Sequence, residues 1–248
     1  MSRSLKGKVA VVVGGSGGIG AASVRLFAEA GATVVIGYRS GKAAAEALVS
    51  ELPGDGHSAM HVDVMQTQTI EAMRDAVAGQ YGRADILVNS AGTTTPVAHK
   101  DLDGLTDGII DEVFASNFRG VFATIRAFTP MLKESGDGVI INVSSIAAFK
   151  GFGSSVAYCG AKAALDSMTH TLGLALGPEI RVLSVSPGMV ATGFVPGRTS
   201  EQIEKAGAAT PLQKVTQPED VADAIFASVA YLTNSTGTRI VVDAGRGL

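Results

Sequence analysis

Tyr158 and Lys162 stand four residues apart near the end of the stretch Ser145 to Lys162, SIAAFKGFGSSVAYCGAK. On a helix, positions i and i+4 share a face, so the ammonium can approach the phenol. A free tyrosine titrates near ~10 and is a poor acid–base group at neutral pH. A fixed positive charge beside it favours the phenolate, so the spacing predicts a phenol whose pKa Lys162 lowers. Ser145 lies thirteen residues before Tyr158, just past the apolar run GVIINVS. If that run is a strand beside the tyrosine's helix, the Ser145 hydroxyl meets the same substrate oxygen. The pair alone is common by chance; the rest of the chain gives it weight.

A second chemical feature is the glycine turn GGSGGIG at positions 14 to 20. Two registers fit, Gly15-x-Gly17-x-x-Gly20 and Gly14-x-x-x-Gly18-x-Gly20. A buried strand before it and a helix after it are the setting of a dinucleotide-binding turn. Glycines let the backbone approach a pyrophosphate, and the helix start supplies free N–H groups and positive potential. The candidates there are Gly14, Ser16, Gly18, Ile19 and Gly20. The next strand ends in Gly37-Tyr38-Arg39-Ser40. It offers no carboxylate to hold the ribose hydroxyls of NAD, whereas the planar fork of Arg39 matches a 2′-phosphate. NADP(H) is therefore expected over NAD(H).

These residues need a scaffold, and the chain alternates strand and helix. Strands are expected at Lys8 to Val13, ATVVIGY, Ala59 to Val62, ADILVNSAG, GVIINVS, Arg181 to Val185 and TRIVVDAG. Helical patterns fill the gaps: SVRLFAEAG, Lys42 to Leu52, Thr67 to Tyr81, Leu105 to Glu134, the Tyr158 helix, and PEDVADAIFASVAYL with Pro218 and acids at its start. Met189 to Leu212 reads as irregular. Seven strands alternating with helices imply parallel β-α-β units, helices on both faces of one sheet, and a single Rossmann-type doubly wound domain over 1–248. In such sheets ligands bind beyond the carboxyl ends of the strands. Gly14 to Gly20, Asp63, Asn89 to Gly92, Ser145 and Pro187-Gly188 all fall there.

Composition sets limits on function. The chain has 248 residues, 46% hydrophobic and 17% charged, with a net charge of -3 and no basic block, so nothing points to nucleic acid. Its only cysteine is Cys159, which excludes an intrachain disulfide. No apolar run approaches the ~20 residues that span a bilayer, and MSRSLKGK lacks the apolar segment of a signal peptide. A cytoplasmic protein with no membrane partner is expected. No metal-ligating cluster stands out.

Taken in order, GGSGGIG, Asp63-Val64, Asn89-Ser90-Ala91-Gly92, Asn117, Ser145, Tyr158-x-x-x-Lys162 and Pro187-Gly188 with Thr192 resemble the short-chain dehydrogenase/reductase family over essentially the whole length. The resemblance implies a nicotinamide cofactor and hydride transfer at a carbonyl carbon. It implies that Tyr158 is the proton donor in reduction, that Lys162 lowers its pKa and binds the nicotinamide ribose, and that Ser145 holds the substrate oxygen. By the same resemblance Asn117 completes a water-linked proton path through Lys162, Asp63 and Val64 contact the adenine, Asn89, Ala91 and Gly92 border its ribose, and Val190 and Thr192 face the carboxamide. Homotetramers through the long helices are implied, with a dimer open. Three departures stand out: Val13 replaces a threonine before the turn, Gly17 stands where NADP-preferring members often carry a basic residue, and Ser90 replaces the second asparagine of the usual pair.

The segment 189–212 is expected to cover the substrate pocket as a lid, with Met189, Phe194, Val195 and Pro196 joined by Thr94, Thr95, Phe149 and Phe152 from other loops. These predict an apolar, uncharged ketone or alcohol, with Arg198 as a lone candidate for a carboxylate. A 3-oxoacyl-acyl-carrier-protein substrate is the alternative, disfavoured by the mixed loop Lys133 to Asp137. A non-catalytic NADP(H) sensor is the alternative of another class, disfavoured because Asn117, Ser145, Tyr158 and Lys162 are all present.

Overall fold

The apolar runs bury both of their faces. In the computed structural model, which describes residues 4–248, Ala10 and Val12 of strand β1 (Val9–Val13) join one core. Val9, Val11 and Val13 join another on the opposite side of the sheet. That alternation is why the strand reads as continuous valine rather than as every second residue. The same parity holds in β5 (Gly138–Val143), where Val139, Ile141 and Val143 face one way and Ile140 the other.

The remaining strands are β2 (Thr33–Tyr38), β3 (Ser58–His61), β4 (Ile86–Asn89), β6 (Ile180–Pro187) and β7 (Arg239–Val242). All seven pair in parallel in the order β3-β2-β1-β4-β5-β6-β7. The order turns back between β1 and β4, so a crevice opens there at the carboxyl ends. One face is covered by α1 (Gly18–Glu29), α2 (Lys42–Glu51) and α9 (Pro218–Ala230). The other is covered by α3 (Thr67–Tyr81), α5 (Gly120–Glu134) and α7 (Val156–Ala175). This is the doubly wound, single-domain arrangement that the alternation predicts.

At the far edge of the sheet from the crevice, Asp85 ties β1 to β4. Its buried carboxylate accepts the Val9 N–H at 2.9 Å and two bonds from Arg83, at 2.9 and 2.6 Å, with Lys8 at 3.2 Å. Burial alone would raise its pKa, but these donors overcome that and hold the carboxyl below its usual range.

Three local features differ from expectation. The helical stretch from Leu105 to Glu134 begins only at α4 (Asp107–Phe114), and one wide π-helical turn, Ala115–Arg119, separates it from α5. Segment 189–212 is not wholly irregular: it contains α8 (Ser200–Ala208), whose start is a capping box between Thr199 and Gln202. A four-residue helix, α6 (Ala147–Lys150), follows β5. It is too short to leave a period in the sequence.

Candidate active site

The end of β5 delivers Ser144 and Ser145 to the crevice, and α7 runs back beside it. The start of α7 is fixed by Ser155, fully buried, whose hydroxyl accepts the Tyr158 N–H at 3.2 Å. This N-cap sets Tyr158 in the first turn, facing the strand ends. Tyr158 is 8% exposed and lines the same cavity wall as Ser145. Ser145 Oγ in turn accepts the Ala147 N–H at 3.1 Å, which holds it at the head of α6. Lys162 is 4% exposed, and its Nζ donates to the Val143 carbonyl at 2.8 Å while lying 5.7 Å from the Tyr158 ring centroid.

The direction of the phenol differs from the one the spacing predicts, because burial outweighs the charges around it. Burial raises the Tyr158 phenol above its usual value; the Ser145 hydroxyl opposes that, and Cys159 and Arg198 act in opposite senses. The Lys162 ammonium, stripped of water, is pushed down to about 8, with Asp166 only partly opposing the shift.

The wide turn explains Asn117. A π-helical turn adds a residue and re-aims a side chain. Asn117, fully buried, donates from Nδ2 to the carbonyls of Thr93 and Val113, each at 2.8 Å. Its Oδ1 is buried with no partner among the described residues. A Cβ placed on Gly92 would lie 2.6 Å from that oxygen and 3.9 Å from Lys162 Nζ. The two polar groups thus converge on one point, where an acceptor awaits a donor.

The glycine turn forms a cradle that no side chain could enter. A Cβ on Gly20 would overlap the Gly14 carbonyl oxygen, and one on Gly14, at φ 82°, would come within 2.6 Å of the Ala91 nitrogen. The N-cap of α1 is Gly17, with no side-chain cap and no acid in the first turn. The α1 start therefore has free N–H groups and uncompensated positive potential. Ser16 Oγ would lie 3.2 Å from a Cβ on Gly41, in the loop that carries exposed Arg39 and Ser40. These features fit a phosphate-bearing dinucleotide: the backbone cradle takes the pyrophosphate, and Ser16, Arg39 and Ser40 surround a position for a further phosphate.

A cavity of about 590 Å3 joins these parts. Gly18, Ile19, Gly92, Ser145, Tyr158, Lys162, Pro187, Gly188, Val190, Thr192, Phe152 and Phe194 line it. The Phe194 ring lies 5.9 Å from that of Tyr158. Thr192 sits over the glycine turn, its methyl 3.3 Å from where a Gly18 Cβ would be.

Other candidates stand elsewhere. Phe149 does not reach the cavity; its ring lies 4.2 Å under the Arg239 guanidinium. Thr94 is buried behind the wall, bonded to Ser154, which does line the cavity. Asn89 turns inward: its Nδ2 donates to Asn142 at 2.9 Å and its Oδ1 accepts from Thr124 at 2.6 Å. It clamps β4 to β5 and α5, and Ser90 takes its place at the cavity. Asp63 caps the turn into α3, accepting the Met65 N–H at 2.9 Å. Val64 is buried beside it, and Tyr38 packs edge-on against His61. Ser144, Arg246 and the Ser155 cap were not singled out from the sequence. Only Ser155 left a signal there, a serine three residues before Tyr158 at a helix start.

The sequence profile of a family described as "Enoyl-(Acyl carrier protein) reductase" matches residues 13–246. The chain belongs to the short-chain dehydrogenase/reductase family. It is 34% identical to the 3-oxoacyl-acyl-carrier-protein reductase FabG of Thermotoga maritima, over 97% of this chain and 98% of that protein. It is 33% identical to cis-4-hydroxycyclohexanecarboxylate dehydrogenase of Sinomonas cyclohexanicum, over 99% of this chain and 98% of that one. Among solved structures, a short-chain dehydrogenase/reductase of the glucose/ribitol dehydrogenase type from Brucella melitensis superposes with a TM-score of 0.93 at 26% identity, covering 100% of both chains. A dehydrogenase/reductase from Sinorhizobium meliloti 1021 gives 0.89 at 32% identity, covering 100% of this chain and 98% of the other. The family is one of oxidoreductases, and its Rossmann-type fold implies a nicotinamide cofactor. Among the described residues no helix is long and apolar enough to cross a membrane, and no group of three or more metal-ligating side chains occurs.

Proposed function

We propose that this protein is an NADP(H)-dependent carbonyl reductase acting on a small ketone or aldehyde. The observation that carries the reading is that the Tyr158 phenol and Ser145 stand together on the wall of a cavity that also contains the glycine turn. A bound nicotinamide supplies the hydride. Ser145 and Tyr158 aim hydrogen bonds at the carbonyl oxygen as charge grows there, the stabilisation that matters most in such a step. Tyr158 then passes its proton, a contribution of about 10²- to 10⁴-fold. The partnerless Asn117 Oδ1 and Lys162 Nζ offer a water site through which that proton can be replaced.

NADP(H) is preferred over NAD(H) because the loop after β2 carries exposed Arg39 and Ser40 and no acid. The two relatives named above act, by their names, on a carboxylated cyclohexanol and on a thioester carried by a protein. Both are secondary alcohol–ketone pairs. A carrier-protein substrate is the second reading, favoured by the family description. The reading includes a homotetramer in the cytoplasm; exposed Phe122 on α5 and Leu174 on α7 are the apolar positions available for assembly.

The test is NADPH fluorescence loss against a panel of ketones, aldehydes and an acetoacetyl thioester, run in parallel with NADH. Tyr158→Phe is expected to lose turnover by at least ~10²-fold while cofactor affinity stays within about twofold of wild type. Undiminished turnover in that variant defeats the mechanism. Light scattering reports the assembly state.

A further inference from the structure

The charges on the cavity wall are all of one sign. Its ionisable cations are Lys162, Arg198 and Arg246, and no aspartate or glutamate is among the residues that line it. Arg198, from the lid, is half-buried. Among the described residues its guanidinium has neither a hydrogen bond nor an ion pair. Arg246, from the turn after β7, makes one bond to the Ala206 carbonyl at 3.3 Å and lies 5.8 Å from the Phe152 ring centroid.

The two arginines line the same cavity. Burial lowers the Arg198 pKa, and the charge of Arg246 lowers it further. The nearest acid in sequence to Arg246 does not relieve this. Asp243 spends its carboxylate on the N–H groups of Gly245 and Gly247, at 2.9 and 2.7 Å. It shapes the turn that presents Arg246 without neutralising it. The fold thus holds two like charges together in a partly dry place, an arrangement that costs free energy unless an anion arrives.

Their position says what kind of anion. Arg198 acts on the Tyr158 phenol, and the Phe194 ring lies against that same phenol. The pair therefore stands on the phenol side of the cavity, whereas Thr192 covers the glycine turn. Phe194 beside the phenol and Phe152 beside Arg246 give the same cavity apolar surface.

We propose that Arg198 and Arg246 together receive a carboxylate of the substrate, so that the enzyme reduces keto acids with an apolar body rather than neutral ketones. This rests on the carbonyl-reductase reading and replaces the uncharged substrate expected from the sequence. Two guanidiniums on the wall of one cavity suit a carboxylate, whose two oxygens can each accept from a planar fork.

The test uses the full chain with NADP⁺ for binding and with NADPH for turnover. Binding of benzoate is compared with methyl benzoate by calorimetry, and turnover of 4-acetylbenzoate with its methyl ester. The acid is expected to be preferred by about tenfold or more in both assays, as charge-assisted hydrogen bonds to a desolvated carboxylate imply. The preference should shrink as salt rises. In Arg198→Met and in Arg246→Met the acid-to-ester ratio is expected to fall towards one. Because the wild-type comparison needs no variant, a misfolded mutant leaves the result intact. Equal or better binding of the ester by the wild-type protein overturns the proposal, even if both ketones are reduced. Phenyl phosphate binding tenfold more tightly than benzoate overturns the carboxylate assignment. If benzoate is preferred through the two arginines but neither ketone is reduced, the anion site stands and the carbonyl-reductase reading falls.

Discussion

Replacing Lys162 by methionine should stabilise the cofactor-free protein, and by an amount that depends on pH. Lys162 is 4% exposed, with one neutral bond, to the Val143 carbonyl, and no ion pair among the described residues. Its pKa falls from 10.5 to about 8. At about 1.36 kcal/mol per pH unit, that difference is about 3 kcal/mol of penalty on the charged, folded form. The sign follows from proton counts. Below pH 8 both folded and unfolded lysines are protonated and the penalty is present in full. Between pH 8 and 10.5 the folded lysine has released its proton and the unfolded one has not, so wild-type stability rises with pH. Methionine keeps the aliphatic stem and carries no charge. Urea unfolding of wild type and Lys162→Met at pH 7 and pH 10 is the assay. The variant's advantage over wild type should be larger at pH 7 than at pH 10, by about 2–3 kcal/mol. Parallel pH profiles for the two proteins would refute the claim that burial penalises this ammonium by more than its partners return. Turnover of the variant is not part of this measurement, since Lys162 belongs to the site.

Gly20→Ala places a Cβ onto the Gly14 carbonyl oxygen, so the glycine turn cannot keep its shape. Nicotinamide dinucleotide affinity by fluorescence titration should drop more than about tenfold, even where circular dichroism reports an intact fold. Arg39→Glu puts a carboxylate in the exposed loop after β2, and the NADPH-to-NADH affinity ratio should fall by at least about tenfold, the worth of one charge-assisted phosphate bond. Asp85→Ala removes the acceptor shared by Val9, Arg83 and Lys8, and should cost about 2–3 kcal/mol at pH 7 in urea unfolding. Because the Asp85 carboxyl is held below its ordinary 3.8, its contribution is present above that pH and is lost as pH falls. The gap between wild type and Asp85→Ala should therefore narrow in acid.

The elements of this fold were readable because their signals are local. The valine run at β1, the glycine stop at Gly31 and Pro218 at the head of α9 each declare themselves within a few residues. Parallel strand order also follows, since alternating strands and helices leave few other ways to bury both sheet faces. Two kinds of feature stayed hidden. The π-helical turn at Ala115–Arg119 carries no periodic mark, since one extra residue in a long apolar helix looks like ordinary drift. Asn89 looked like a cavity residue because it ends a strand. Only strand pairing shows that Asn142 lies directly opposite and claims its side chain.

The pKa of the phenol shows why spacing alone was not enough. An i, i+4 separation places Lys162 near Tyr158 but leaves open where its ammonium points, and here it points at the end of β5. A further cation that acts on the phenol comes from Arg198, forty residues along the chain. Its companion, Arg246, comes from the turn after the last strand. No sequence window holds Arg198, Arg246 and Tyr158 together. They meet because β6 and β7 are adjacent in the sheet, so the segments after both strands open onto the same cavity. Fold-level reasoning therefore brings Ser145, Tyr158 and Lys162 to one cavity, because all three follow β5. Arg198 and Arg246 come from loops whose meeting point is fixed only by strand order, so the charge they bring to the cavity wall is invisible to any local reading of the sequence.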